Sequence, residues 1–439
     1  MVDDSRRISV LLGLLFGLAG MGSASAAVAL PMLGDHFDIG VGQSTWVISL
    51  YALMLAVTTA VYGRISDLVG VKGPLLVGIG LMTAGALVAA AAPSYGVLLV
   101  ARLFQGAGAA AVPTLGVAIL SSRYDGAIRG LALGRLAAVA AAISCLGPLV
   151  GGVVEHAFGW RAVLAVPILG AAVIPFLWRA LVGEGTGAGL DILGAVLVAL
   201  TAAGLVLLVQ SPSTGLVVAL VGVLLLVLGA PLAALQVRRR PLDGFLPTAV
   251  IGNRTVVRSA LAAAAVPAAW FGQLIAVPAV LVHDGWEPWQ VGLLLVPSAV
   301  VAMFVPRIVG PLLARTGSAI TLAVAGSTAT FALLVTGLGA GLDSAPVLGV
   351  GVLLVTVAFG IGQPAMTAAV SSAVHQDVRG VALGIATLVF MTGGSVGSAV
   401  VGGAGGVLGV PLALALLALL PVLGLVVLIP ELRRQAVPA

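Results

Sequence analysis

Charged residues are scarce in this sequence. Asp, Glu, Lys and Arg make up only 8% of the 439 residues, whereas a typical soluble domain carries about 25%. Hydrophobic residues make up 61%, and many apolar runs reach about 20 residues, which is enough to cross a bilayer as a helix. The composition therefore excludes an ordinary soluble domain and predicts an all-α integral membrane protein.

Cysteine, histidine and phosphate-binding motifs are also scarce or absent. The single Cys145 excludes an intramolecular disulfide, and the four histidines form no constellation with Asp or Glu that would suit a metal site or a nucleophilic centre. No loop ends in Gly-Lys-Ser or Gly-Lys-Thr, so ATP is not expected as the direct energy source. We predict that the protein is not an enzyme and has no metal or cofactor.

The basic residues give a net charge of +5. They flank the apolar runs instead of forming one patch, so nucleic acid is not an expected partner. The apolar runs predict fourteen transmembrane helices with both termini on one side. If that side is the cytoplasm, Arg161 is the single basic residue of the outer loops, as the positive-inside rule requires. We therefore predict a multi-pass protein of the plasma (inner) membrane with cytoplasmic termini.

An internal repeat divides the predicted helices. The recurring pairs are 129–134 with 379–384, and Gly63 and Gly70 with Gly310 and Gly317. In both pairs the second copy lies eight predicted helices after the first. This spacing indicates two six-helix bundles, 1–180 and 256–439. Two inserted helices and a basic cytoplasmic linker, 181–255, separate them. This repeat is typical of transporters that rock around a central site, and it disfavours a channel or a passive scaffold.

The most polar interruption in the first half runs from Gly63 to Lys72. It predicts a tight cytoplasmic turn between two helices. Gly63 and Gly70 would let backbones approach closely, and Asp67 would lie at the start of the next helix, where a carboxylate is favoured. Arg64 and Lys72 would pair with Asp67 or hold the turn at the lipid headgroups.

Two further motifs lie inside predicted helices. Arg102, with Gln105 one turn later, is a candidate for function because a cation so deep in a membrane needs buried acceptors or water. The alternative is an arginine that only ties helices together through backbone carbonyls. The segment 147–152 combines Pro148, which removes a helix hydrogen bond, with glycines that let a neighbouring helix approach. The alternative there is a generic kink and packing site.

Acidic side chains are absent from the predicted membrane interior, since all fifteen lie in loops or at helix ends. A pump for organic dications would be expected to neutralise them with a buried carboxylate, so a neutral or weakly anionic lipophilic substrate fits better. A proton carrier would then be peripheral, for instance a histidine with a pKa of about 6.5. The alternative is that these residues are solvated loop residues. The proton-coupling candidates are Arg102, Asp35, Glu155, His156, His283 and Asp284.

These motifs together resemble a known family. The turn 63–72 resembles the signature loop of the major facilitator superfamily. The surroundings of Arg102 resemble its fourth-helix motif, whose arginine is associated with proton transfer. Gly147, Pro148, Gly151 and Gly152 resemble the antiporter motif of drug–proton exporters. With the two inserted helices, the chain resembles the fourteen-span drug–proton antiporter family. This implies a secondary transporter, working as a monomer, that exports lipophilic drug-like or antibiotic molecules by alternating access in exchange for protons.

The geometry of that family implies that the first, fourth, ninth and twelfth helices line a central cavity. The candidates there are Ser23, Ser25, Arg102, Gln105, Trp270, Gln273, Gln363 and Met366. Tyr51 of the second helix is a further candidate for the cavity. Trp270 would stack on an aromatic ligand or only fill space. Gln273 and Gln363 would hydrogen-bond the substrate or each other. Two alternatives stay open, a dedicated exporter of one natural product and a carrier of the same fold that is not coupled to protons.

Overall fold

The computed structural model describes residues 2–124, 126–178, 181, 191–240, 245–246, 248–375 and 379–436. Within these ranges every regular element is helical. Twelve helical stretches are long and apolar enough to cross a membrane, which agrees with the all-α membrane class. The sequence predicts fourteen helices, and the difference arises because two of the twelve stretches, Leu131–Leu177 and Pro288–Gly341, each cover two of the predicted ones.

The chain before the inserted pair forms ten α-helices and one 3₁₀ helix. They are α1 (Val2–Val28), α2 (Leu30–Phe37), α3 (Val41–Ser44), α4 (Trp46–Val69), α5 (Lys72–Ala90), α6 (Tyr95–Ala109), α7 (Ala111–Arg123), α8 (Gly126–Cys145), α9 (Gly147–Ala165), the 3₁₀ helix Val166–Val173 and α10 (Ile174–Leu177).

The inserted pair and the second half follow in the same all-helical manner. They are α11 (Ile192–Thr214), α12 (Leu216–Arg239), α13 (Thr248–Ile251), α14 (Arg254–His283), α15 (Pro288–Gly341), α16 (Ala345–Ala373), α17 (Arg379–Leu408), α18 (Val410–Leu417) and α19 (Leu419–Ala436). The division at 180 and 255 stays a prediction, and residues 182–190, 241–244 and 247 of the middle segment lie outside the described residues.

Helix α15 is two arms joined at a break. Gly317 has φ 75° and ψ 171° inside it, a conformation that glycine adopts easily because it has no Cβ. Val291 near the start of α15 and Ala340 near its end belong to the same buried cluster, with Leu281 of α14. A straight helix of 54 residues would separate them by about 70 Å at about 1.5 Å per residue, so the chain doubles back. Gly159 breaks α9 in the same conformation.

Helices α11 and α12 pack on each other, and α11 also contacts α4 and α17. Asp191, just before α11, ties this pair to the linker that follows it. Its carboxylate accepts hydrogen bonds from the Gly194 N–H (3.0 Å), the Gln236 amide (2.8 Å) and the Phe245 N–H (3.0 Å). Burial alone would raise the pKa of Asp191, but these hydrogen bonds and the charge of Arg240 lower it below the usual range.

Replacing Asp191 with asparagine should destabilise this junction, because the new amide would oppose donors that now point at a carboxylate. We expect a loss of about 2 kcal/mol, typical of buried groups left unpaired, measured as a lower melting temperature in detergent at pH 7. A carboxyl with a lowered folded-state pKa stabilises above its unfolded pKa and loses this contribution as pH falls. The difference between wild type and Asp191→Asn should therefore shrink as pH falls below about 4.

The exposed Asp284 provides the control for this experiment. Asp284→Asn should leave the melting temperature unchanged at pH 7. Equal stability of wild type and Asp191→Asn, or a difference that grows on acidification, would contradict the role given to the Asp191 carboxylate.

Candidate functional site

The two ends of the molecule are marked by different aromatic contacts. At one end, called here the Trp160 end, Phe37 lies 5.6 Å from the Trp160 ring and 6.1 Å from the Tyr95 ring. At the opposite end, the Lys72 end, the Lys72 ammonium lies 4.0 Å from the centre of the Trp178 ring. Helix α5 runs from the Lys72 end towards the Trp160 end, and α6 returns from it.

Arg102 of α6 is completely buried, and its guanidinium joins three helices. Nε donates to the Val47 carbonyl on α4 at 2.8 Å, and Nη1 donates to the Gly22 carbonyl on α1 at 2.9 Å. Nη1 also donates to Gln105 Oε1 at 2.5 Å. The Tyr51 ring lies 4.4 Å from the guanidinium carbon. The sequence-predicted residues Arg102, Gln105 and Tyr51 therefore form one polar cluster in the first half.

This cluster leaves two buried donors unused. Arg102 Nη2 and Gln105 Nε2 have no hydrogen-bond partner among the described residues. The acceptors that Arg102 does have are carbonyls and an amide, which is the arrangement of an interhelical tie. No carboxylate contacts this buried cation among the described residues. Its electrostatic energy therefore changes strongly when another charge approaches, because the low dielectric of a buried site screens little.

Helix α9 packs tightly against α1 of the first half on one side and against α15 of the second half on the other. A Cβ at Gly151 would lie 2.7 Å from the Ser25 carbonyl oxygen on α1, and a Cβ at Gly152 would lie 2.7 Å from Trp289 Cα on α15. On the opposing helix, a Cβ at Gly292 would lie 2.5 Å from Leu149 Cα. Real Cβ atoms do not approach so closely, so glycine is required at this crossing. The segment 147–152 thus forms a tight contact between the halves.

A second contact between the halves joins α4 to α17. The Ser49 and Ser398 hydroxyls lie 2.8 Å apart, and a Cβ at Gly402 would lie 2.9 Å from Thr45 Cβ. Thr45 lies two residues after Gln43, whose carbonyl accepts a hydrogen bond from the Tyr95 hydroxyl, so this contact also lies towards the Trp160 end. Together with the α9–α15 crossing it packs the Trp160 end closed.

A cavity lies beside the α9–α15 crossing, mostly within the second half. It has a volume of about 20 Å³, which is room for about one water molecule. Its lining residues are Pro148, Trp270, Gln273, Leu274, Val277, Leu295, Ser298, Val352 and Val355. Trp270 is half-buried, and its ring lies 5.4 Å from that of Phe359. Gln273 is only 2% exposed, and neither of its side-chain polar atoms has a partner among the described residues.

Among the predicted cavity residues, only Trp270 and Gln273 line this cavity. Ser25 donates to the Met21 carbonyl at 2.5 Å, and Tyr51 donates to the Ala19 carbonyl at 2.6 Å. Ser23 and Met366 are buried, and Gln363 is half-buried. Because Gln273 is unpaired, the alternative in which it bonds Gln363 is not seen. A role for the other residues along a substrate path stays a prediction.

The peripheral acid and histidine candidates lie at the Trp160 end, apart from the Arg102 cluster. His36 lies 5.2 Å from the Trp160 ring, and its Nε2 lies 3.4 Å from Arg161 Nη2. Glu155 is half-buried and interacts electrostatically with His156 and with Glu287, an acid that the sequence did not single out. Asp35, His156, His283 and Asp284 are exposed. Their part in proton coupling stays a prediction.

The turn predicted from Gly63 to Lys72 is shorter than expected, because α4 continues to Val69 and α5 begins at Lys72, which leaves only Gly70 and Val71 between the helices. Asp67 therefore lies in the last turn of α4 and not at the start of the next helix. The Arg64 and Asp67 side chains lie outside the described residues, so their pairing is not part of the structure. Gly70 has φ 78°, which agrees with a position that favours glycine. At Gly63 the expectation of close approach is wrong, because a Cβ there would make an ordinary 3.6 Å contact with Thr114. Lys72 lies over Trp178.

Comparisons with known proteins agree with this architecture. The model of the family described as Major Facilitator Superfamily matches residues 12–398. The chain is 27% identical over 383 residues to the multidrug resistance protein Stp of Mycobacterium tuberculosis, covering 85% of this chain and 71% of that protein. It is 34% identical over 154 residues to the efflux pump dotC of Dothistroma septosporum, which covers 35% of this chain and 26% of dotC.

A solved structure shares the fold. The crystal structure of a POT family transporter in complex with 5-aminolevulinic acid superposes with a TM-score of 0.71 at 15% identity, covering 98% of this chain and 96% of that chain. At this identity the likeness concerns the fold alone. The family match and these neighbours indicate a multi-pass membrane carrier of small molecules and not an enzyme.

Proposed function

Because this chain belongs to the Major Facilitator Superfamily, we propose that it is a secondary active transporter that exports lipophilic, drug-like or antibiotic molecules in exchange for protons. The observation that carries the proposal is the cavity next to the closed Trp160 end, walled by Pro148 of the first half and by helices of the second. The similarity to a multidrug resistance protein and to an efflux pump supports the direction of transport.

Fourteen membrane crossings fit the twelve helical stretches once the two longest are divided. Leu131–Leu177 has 47 residues and Pro288–Gly341 has 54, whereas one crossing takes about 20. The breaks at Gly159 and Gly317 would divide each stretch into two crossings. The even count brings both termini to the Lys72 side, which we assign to the cytoplasm of the plasma membrane because the predicted loops on that side hold nearly all basic residues.

The contacts between the halves support alternating access. With the Trp160 end closed, the cavity would open towards the Lys72 end to take substrate from the cytoplasm or from the inner leaflet. Separation of α9 from α15 and of α4 from α17 would then expose it to the outside. Both halves belong to one chain, so a monomer would suffice, and the proton gradient in place of a cofactor would supply the energy.

Proton coupling would link the Arg102 cluster to acid and histidine groups at the Trp160 end. Histidine is a side chain that can exchange protons in the physiological pH range, and Glu155 with Glu287 offers a pair of interacting carboxylates there. In the described part of the chain, neither the histidines nor these two glutamates contact Arg102. Proton coupling would therefore act through the opening and closing of the Trp160 end.

A second candidate, a carrier without proton coupling, is favoured by one observation. In the described part of the chain Arg102 is hydrogen-bonded to carbonyls and an amide, with no carboxylate to exchange a proton beside it. A dedicated exporter of one natural product is compatible with the same geometry. These alternatives differ from the main proposal in proton movement and in breadth of substrates.

The test uses purified protein in sealed vesicles with an imposed pH gradient. Lipophilic neutral, anionic and cationic compounds are added while the internal pH is followed. We expect saturable proton movement with several neutral compounds and none with dications. Saturable substrate flux without proton movement would replace antiport by uniport, and response to a single compound would indicate a dedicated exporter. Protein-free vesicles control for passive leak.

A further inference from the structure

Two carboxylates from opposite halves of the molecule meet at the closed Trp160 end. Glu155 lies on α9, Glu287 directly precedes α15, and the two interact electrostatically. The helices touch beside them, since a Cβ at Gly152, one turn before Glu155, would lie 2.6 Å from the Pro288 carbonyl carbon. Closure of the α9–α15 crossing therefore brings these two carboxylates towards each other.

The ends of the two helices give the carboxylates different properties. Glu287 is exposed and occupies the N-cap position of α15, and its N–H donates to Gln290 Oε1 at 2.9 Å. A carboxylate at a helix N-terminus is stabilised in its ionised form by the free N–H groups and the helix dipole. The pair therefore keeps one fixed negative charge, on Glu287.

Glu155 is placed in the opposite way. It is half-buried and lies four residues before the break at Gly159, in the last turn of that arm of α9. Loss of water, the negative end of the helix dipole and the facing Glu287 all disfavour a second negative charge there. Glu155 is thus the member of the pair that takes up a proton when the end closes.

The other charged groups near Glu155 do not replace this partner. The neighbouring His156 is exposed and, when protonated, favours the ionised form of Glu155. Beyond the break, Arg161 lies against His36 of α2. The helices α1 and α5 also pack on α9, but their described charged residues lie at the Lys72 end, as does the described Arg135 of α8 in the half of that helix nearer its start. His283 and Asp284, which precede Glu287 in the chain, are exposed.

We propose that Glu155 and Glu287 form a proton-controlled latch, in which a proton on Glu155 lets α9 and α15 close and its loss to the external solution drives them apart. The latch rests on the proposed transport function, since it names what regulates the opening of the Trp160 end. The closed state holds the proton more tightly than the open state, in which water surrounds both carboxylates. Acid outside therefore favours closure, and this contribution is lost as the pH rises.

The experiment measures opening as a distance within the full chain. In a Cys145→Ala background, spin labels are attached at Phe158→Cys on α9 and Val407→Cys on α17, two exposed positions in opposite halves near the Trp160 end. Distances are measured by double electron–electron resonance in lipid nanodiscs, without substrate. We expect the long-distance, open population to rise at least about threefold from pH 5 to pH 8, because one bound proton changes such a ratio by up to about tenfold per pH unit.

Three variants locate the response. Glu155→Gln cannot ionise and should stay closed at both pH values, and Glu287→Gln should weaken the response because the facing charge is gone. Asp343→Asn is the matched control, because Asp343 is an exposed acid just beyond α15 at the same end, with a φ of 49° that asparagine tolerates. This control should respond as wild type does.

Two results would overturn the latch. The first is a distance distribution that stays the same from pH 5 to pH 8 in the chain with native Glu155 and Glu287. The second is a response that survives in Glu155→Gln, which retains His36, His156 and His283 and would assign the response to a histidine. The first comparison needs neither glutamate variant, so it decides the matter even if Glu155→Gln does not fold.

The outcomes separate the latch from the transport function. Proton-coupled export by a protein whose distance distribution ignores pH would leave the function standing and remove the latch. Opening that depends on pH and on Glu155, in a protein that moves no compound in vesicles, would keep the latch and remove the function.

Discussion

Replacing Arg102 with alanine should lower the rate of substrate transport by about 100-fold or more while the protein still inserts into the membrane. The guanidinium holds α6 to one carbonyl of α1 and one carbonyl of α4, and no other described side chain makes these two contacts. Its removal also takes away the buried positive charge that would respond to protonation elsewhere. The rate is measured in vesicles with an imposed pH gradient, and insertion is measured by the amount of protein recovered in the membrane fraction.

Two further measurements identify what Arg102 does. Arg307→Ala is a matched control, because Arg307 is an exposed helical arginine that lies 5.1 Å from the Phe304 ring, and we expect its flux to be near that of wild type. Substrate counterflow is measured without a pH gradient, and it distinguishes a role of Arg102 in proton coupling from a role in holding the helices together. If counterflow persists in Arg102→Ala, the residue serves proton coupling. If counterflow is lost as well, it is an interhelical tie, and wild-type flux would contradict both roles.

Replacing Gly152 with leucine should stop the transport cycle by preventing closure of the Trp160 end. The new side chain would meet the Pro288 and Trp289 backbone of α15, which cannot move aside as a flexible side chain can. We expect transport to fall at least tenfold, with the outward-open state favoured, since overpacking at such a contact costs about 1–3 kcal/mol or more. Gly151→Leu should have a similar effect on transport through the Ser25 backbone, because the rigid contact there is with α1.

Labelling measures the change in conformation directly. In a Cys145→Ala background, Leu149→Cys places a thiol at the crossing with Gly292, and an impermeant maleimide applied from outside should label it faster when Gly152→Leu is present. The control is Gly134→Leu on α8, where a Cβ would have no atom within 4 Å. Unchanged labelling together with normal turnover would show that the crossing tolerates bulk and does not close the transporter.

The sequence predicts the helices well because lipid imposes a simple rule. Backbone groups in a bilayer must be paired within the chain, so each long apolar run becomes a helix, and α11, α14 and α16 lie where hydropathy places them. Arg102 could also be singled out, because burial of its charge is costly enough to require acceptors. Gly151 and Gly152 were correctly expected at a close helix crossing.

The partners of these residues could not be predicted, for physical reasons. Arg102 bonds the carbonyls of Gly22 and Val47, and a carbonyl is present at every residue, so it leaves no signal in a sequence. Ser25 was expected in the cavity, but its hydroxyl is used by its own helix. In helices that are apolar on all sides, hydropathy does not reveal which face packs against which neighbour. The sequence therefore could not predict that Pro148 lines the same cavity as Gln273.

The position of α11 makes the two flanks of the transporter unequal. Phe245 of the linker, Val206 of α11, Val57 of α4 and Leu388 of α17 share one buried cluster, so α11 and the linker cover the seam where α4 meets α17. The other seam, where Leu146 packs beside Ala299 of α15, has no such cover among the described residues. A hydrophobic molecule dissolved in the bilayer would therefore reach the contact between the halves directly only on the side of α15.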